Sequence, residues 1–134
     1  MREMKKACII SMGSNCDKAE NMAAAKSALK ALFGDDIRFS PVLETEPIGM
    51  DGGETFLNAL ALAHTDDDCA DVTACLKSVE RNMGRTAEEK SAGIIRIDID
   101  LIAFGGRVLK KEDWGRAYVK DLLHSLDING GDWL

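Results

Sequence analysis

Residues 94–104 read I-I-R-I-D-I-D-L-I-A-F. Side chains on a strand alternate between faces. Ile95, Ile97, Ile99 and Leu101 are therefore expected on one face, and Arg96, Asp98 and Asp100 on the other. Same-face residues two apart on a strand stand about 7 Å from one another. That spacing admits two Mg²⁺ ions about 3.5–4 Å apart, each held by hard oxygen ligands. Polar residues also line the solvent face of many half-exposed antiparallel strands. The pair alone therefore leaves two readings open, a metal site and a solvated face.

Composition narrows the choice. The chain has 134 residues, 46% of them hydrophobic, enough for one domain (1–134) with a core that needs no disulfide staples. A net charge of −6 disfavours a nucleic-acid partner, which wants a basic surface. A nucleotide needs only a few local cations and is not excluded. Cys8, Cys16, Cys69 and Cys75 show no C-x-x-C spacing, and His64 and His124 add no ligand cluster, so zinc is not expected. Reduced thiols, no apolar run of membrane length and no signal-peptide pattern after Met1 point to a cytoplasmic protein without a membrane partner.

The order of elements gives a fold. Residues 7–12 form an apolar run ending in Gly13-Ser14-Asn15, a strand and then a turn. Asp17 and Glu20 have the spacing of a capping box for a helix to about Phe33, with Met22, Ala25, Leu29 and Leu32 inward. Residues 37–46 and 56–64 read as strands joined by a turn-rich loop, a long-loop hairpin. Asp68 caps a second helix to about Met83, with Val72, Leu76, Val79 and Met83 as its apolar stripe. Residues 85–93 read as a polar, mobile loop, with closure over a site as one use of it. The Asp-bearing strand follows, then a short edge strand at Val108 and Leu109. A last helix spans 115–126, with Tyr118, Leu122 and Leu126 on one face. The tail 127–134 is expected to be loosely held. The result is an α+β, ferredoxin-like βαββαβ sandwich: a four-stranded antiparallel sheet, helices on one face, and a short C-terminal helix. This plan hosts many functions.

Five short segments in order resemble the 6-hydroxymethyl-7,8-dihydropterin pyrophosphokinase family. They are Gly13-Ser14-Asn15, the loop Glu44-Thr45-Glu46-Pro47-Ile48-Gly49, Phe56-Leu57-Asn58-Ala59, Glu80 with Gly84-Arg85, and Ile97-Asp98-Ile99-Asp100-Leu101. The resemblance covers roughly residues 6–110 and implies transfer of pyrophosphate from ATP to the pterin hydroxymethyl group, with release of AMP. It implies Asp98 and Asp100 as ligands of two Mg²⁺ ions, and Arg85 as a charge-assisted donor to the phosphates. Thr45, Ile48, Gly49, Phe56, Asn58 and Tyr118 would bind the pterin. Phe56 and Tyr118 offer stacking faces, and Asn58 offers both a donor and an acceptor to the ring edge. Glu80, Arg85, Arg96, Leu101 and Arg116 would meet ATP. Only small molecules are implied as partners, for a monomer or weak homodimer.

The chain departs from the family pattern in places. Ala92 stands where the family has a tryptophan, and Ile95 where it has an arginine. A segment carrying a histidine and a tyrosine is missing between Trp114 and Gly115. Arg96 and Arg116 are the nearest arginines left. These losses keep a second reading open, a paralogue with little activity that binds a pterin or nucleotide as a sensor or accessory subunit. A third is a ligand-free interaction module that pairs through an edge strand.

Overall fold

The computed structural model describes residues 5–46 and 54–128. The N-terminal residues 1–4, loop residues 47–53 and tail residues 129–134 lie outside them.

The elements run β1 (Lys6–Ser14), α1 (Lys18–Phe33), β2 (Ile37–Phe39), β3 (Leu43–Thr45), β4 (Phe56–Thr65), α2 (Cys69–Asn82), α3 (Ala87–Ser91), β5 (Asp98–Phe104), β6 (Arg107–Val108), α4 (Lys111–Trp114) and α5 (Ala117–Ser125). One antiparallel sheet runs β2-β4-β1-β5-β6, and β3 also pairs with β4. The mixed α+β class and the helix–strand order are as expected. Among the described residues the sheet has six strands rather than four. The expected strand 37–46 is split at Ser40-Pro41, because proline cannot donate to the ladder. Both halves still pair with β4, completing the hairpin.

The sheet is buried on both faces. Ile10, Met12, Ala59, Ala61, Ile97, Ile99 and Leu101 face α1 and α2, meeting Met22, Ala25, Leu29, Val72 and Leu76. On the opposite face Ile9, Leu60, Leu62 and Ile102 are covered by Trp114, Val119, Leu122, Leu123 and Leu126 from α4 and α5. The helices are thus not confined to one side.

Several local expectations are corrected. Asp17 adopts φ 42° and its side chain makes no capping bond, so there is no capping box; the Asn21 amide donates instead to Cys16 O at 2.6 Å. Leu32 lies outside the core, 48% exposed. Residues 85–93 carry the single-turn helix α3, capped by Thr86, whose hydroxyl accepts from the Glu89 amide. Gly115 separates α4 from α5, which begins at Ala117 rather than at residue 115. Ile128, placed in the loose tail by sequence, is buried in the second core. The Asp68 cap of α2 is present, accepting from Asp71 N at 2.8 Å. The four cysteines are free. No helix among the described residues is long and apolar enough to cross a membrane.

Candidate active site

α4 and α5 cover only part of their face of the sheet. Beyond them lies a row of paired residues, Asn58 on β4, Gly13 on β1 and Asp98 on β5. The next row is Leu60, Ser11 and Asp100. Directly paired residues point to the same side, so both aspartates share a floor with Asn58 and Ser11. A cleft of about 280 Å³ opens over it, lined further by Thr45, Glu46, Phe56, Asp113, Arg116 and Tyr118. Ligand sites of small molecules begin at about this size.

Gly13 leaves the middle of the floor open. A Cβ built there would meet Asn58 Oδ1 at 3.0 Å, a closer approach than the amide tolerates without moving. The Asn58 amide itself donates to Thr45 Oγ1. Asn15 ties the next segment to the floor: its Oδ1 accepts from Ile95 N at 2.7 Å and its Nδ2 donates to Gly93 O at 2.9 Å.

The aspartates sit where β5, paired with β1 on one edge, has no strand neighbour on the other. β6 pairs only with Ala103 and Phe104. Upstream, α2 supplies the missing partners. Glu80 Oε2 accepts from Ile99 N at 2.6 Å, and Lys77 Nζ donates to Ile99 O at 2.9 Å. Lys77 also reaches Asp100 Oδ1 at 2.9 Å and Glu80 Oε2 at 3.0 Å. Arg85 Nη1 donates to Glu80 Oε1 at 2.7 Å and lies 3.4 Å from Asp98 Oδ1. Lys110 Nζ reaches Asp100 Oδ1 at 3.3 Å.

These contacts separate the two aspartates chemically. Burial, then the neighbouring Asp100 charge, pushes Asp98 up to about 6, with Arg85 opposing. Burial would raise Asp100 too, but the Lys77 hydrogen bond and the Lys77 and Lys110 charges outweigh it and hold it below its ordinary value. Burial raises the Tyr118 hydroxyl as well.

Oxygen atoms of Glu80, Asp98 and Asp100 lie within 4.8 Å of one another, a donor set of the kind a hard cation takes. Glu80 is buried and both its oxygens are already bonded to Arg85, Lys77 and Ile99 N. Asp98 and Asp100 are therefore the members of the cluster left more open to a cation, with side chains 42% and 19% exposed. Glu80 holds the strand and the cations in place.

Of the residues singled out by sequence, Asp98, Asp100, Thr45, Phe56, Asn58, Tyr118 and Arg116 line this cleft. Arg116 also pairs with Asp113 at 3.1 Å. Glu80 and Arg85 lie beside it, lining a second cleft of about 360 Å³ with Lys77, Arg81, Thr86, Ala87 and Lys90. Arg96 does not join them. It precedes β5 rather than sharing its Asp face, and its guanidinium is bidentate to Glu89 at 2.8 Å. The Leu101 side chain points into the core on the opposite face. Ile48 and Gly49 lie outside the described residues.

Sequence reading missed Ser11, Lys77, Lys110 and Asp113. Two carried a signal. Ser11 is the polar interruption of the apolar run in β1, on the face of Ile9 and Gly13. Lys77 is one helical turn from Glu80, the spacing at which side chains meet. Lys110 and Asp113 come from a segment with no periodicity to place it.

Residues 9–128 match the sequence model of the 7,8-dihydro-6-hydroxymethylpterin-pyrophosphokinase family. Two curated relatives, from two strains of Porphyromonas gingivalis, carry the name 2-amino-4-hydroxy-6-hydroxymethyldihydropteridine pyrophosphokinase. Each is 31% identical over 97 residues, which cover 69% of this chain and 65% of the relative. The chain thus spans just under two thirds of the length of those relatives. With the family model covering most of its residues, and the paired aspartates on the floor of the cleft, the chain belongs to the 7,8-dihydro-6-hydroxymethylpterin-pyrophosphokinase family.

Proposed function

We propose that this protein transfers a pyrophosphoryl group from ATP to the hydroxymethyl oxygen of 6-hydroxymethyl-7,8-dihydropterin, releasing AMP, as a step of folate biosynthesis. The observation that carries the reading is the shared floor of Asp98, Asp100 and Asn58 beneath one cleft. Two carboxylates and an amide share one face, the combination that a metal-bound phosphate beside a polar ring edge would need.

The pterin ring lies between Phe56 and Tyr118, which offer stacking faces. Asn58 reads its edge, with Thr45 fixing the orientation of the amide. The hydroxymethyl group then points along the floor toward the aspartates. ATP phosphates approach from the second cleft, where Lys77, Arg81, Arg85 and Lys90 outnumber the lone acid Glu80. Arg85 stands between the clefts, against both Glu80 and Asp98.

Asp98 and Asp100 would hold Mg²⁺, two ions in this reading. Bound there, Mg²⁺ neutralises phosphate oxygens that otherwise repel the attacking oxygen. The chain's own residues position the reactants. A new bond forms from the hydroxymethyl oxygen to the β-phosphorus as the bond from that phosphorus to the AMP oxygen breaks, and the hydroxyl proton passes to solvent. Arg85 supplies a fixed cation at the charge that develops. The net charge of −6 and free thiols fit a cytoplasmic enzyme of small molecules.

The test is AMP release from ATP and Mg²⁺, with and without the dihydropterin, for the wild type and Asp98→Ala. Pterin-dependent AMP that disappears in the variant supports the reading. Folded wild-type protein that releases none overturns it in favour of a binding paralogue.

A further inference from the structure

Asp100 carries two ammonium groups on one oxygen. Lys77 Nζ lies 2.9 Å from Oδ1, and Lys110 Nζ lies 3.3 Å from the same atom. The two lysines are held very differently. Lys77 also donates to Glu80 and to Ile99 O, so its three donors are all used. It cannot leave without stripping a buried carboxylate and a strand carbonyl. Lys110 makes the longer contact, and its side chain is 47% exposed against 35% for Lys77.

Charge balance gives this difference a consequence. Glu80, Asp98 and Asp100 are matched by Lys77, Arg85 and Lys110. A divalent cation approaching Asp100 therefore meets a compensated cluster, and one ammonium has to yield to it. Lys110 is the one able to. Its ammonium shares an oxygen with Lys77, and Lys77 lines the cationic cleft beside the cluster. A lysine displaced from Asp100 stays beside Lys77, at the border of the cationic cleft where phosphates would be drawn.

We propose that Lys110 is an exchangeable counterion: it neutralises Asp100 until a metal ion binds there, yields to the metal, and then binds the nucleotide phosphates. Lys110 thereby couples metal entry to nucleotide entry. The inference rests on the pyrophosphokinase reading above for the identity of the nucleotide.

The test measures two binding reactions on the full chain. Free Mn²⁺ binding is followed by electron paramagnetic resonance without nucleotide. Binding of α,β-methylene-ATP in excess Mg²⁺ is followed by calorimetry. For Lys110→Gln the expected changes have opposite signs, several-fold tighter Mn²⁺ and several-fold weaker nucleotide. Lys110→Arg, which keeps the charge, should return both toward wild type. Unchanged binding in Lys110→Gln, or two changes of the same sign, overturns the proposal alone. A folded wild type that binds neither probe overturns the pyrophosphokinase reading along with it.

Discussion

Glu80 Oε2 accepts the backbone N–H of Ile99 at 2.6 Å, so a helix side chain takes the place of a strand at the open edge of β5. This bond sets the height of the two aspartates that flank Ile99. It also gathers Lys77 and Arg85 around them. Glu80 is 3% exposed, and removing it leaves two cations and an amide short of a partner. Breaking a buried pair costs about 3–5 kcal/mol. The low end, about 3 kcal/mol, is expected for Glu80→Ala, because Lys77 keeps Asp100 and Arg85 keeps Asp98. Urea unfolding measures it. Glu80→Gln retains the acceptor for Ile99 N and should lose less.

The two aspartates make opposite contributions to pH dependence. Asp98 titrates near 6 in the folded protein against an ordinary 3.8. The folded state therefore binds this proton more tightly than the unfolded chain does. Stability is lost as pH rises from 3.8 to about 6, and the loss is constant above that. Asp98→Asn should raise the melting temperature of the metal-free protein near neutral pH, and the gain should vanish in acid. Thermal scans across pH follow it.

Metal binding runs the other way. A cation needs the Asp98 carboxylate ionised. Mg²⁺ affinity should be flat above pH 6 and fall by up to about tenfold for each pH unit below it. Calorimetric titration of Mg²⁺ at several pH values checks the slope, and Asp98→Asn should abolish it.

Gly13 is required for space. In Gly13→Ala the new Cβ would press on Asn58 Oδ1 from 3.0 Å and turn the amide that faces the cleft. Pterin binding should weaken about tenfold or more, because a ring-edge hydrogen-bond pair is lost. ATP analogue binding should hold. Comparing the two ligands separates a local effect from unfolding.

Lys18 ties β3 to the residue just before β4. It donates to Glu44 Oε2 at 2.9 Å on β3 and to Thr55 Oγ1 at 2.6 Å, just before β4. The contact with Glu44 is exposed to solvent, so the melting temperature should change little in Lys18→Met. The KM for the pterin should still rise, since Thr45 and Phe56 sit next to those anchors. Steady-state kinetics beside a melting curve makes the distinction.

Alternation along β5 was enough to put Ile97, Ile99 and Leu101 in one core and the two aspartates on the other face. Phe56 and Asn58, two apart on β4, reached the same cleft by the same periodicity. The pattern failed at Arg96, because strand geometry begins only at Asp98 and Glu89 captures the guanidinium first. No local pattern announces that α5 crosses to the second face of the sheet. Apart from the polar residues of the cleft floor, β1, β4 and β5 carry apolar residues on both sides, which is consistent with burial on both but does not name what buries them. Lys77 and Lys110 converge on Asp100 from segments 33 residues apart, a meeting made by tertiary packing alone.

The most direct test of the account is phosphorus NMR of ATP, Mg²⁺ and 6-hydroxymethyl-7,8-dihydropterin incubated with wild-type protein. The account predicts an AMP resonance growing together with the two coupled resonances of a pterin pyrophosphate ester, both lost in Asp98→Ala. ADP with a pterin monophosphate, or ATP left intact by folded protein, would contradict it.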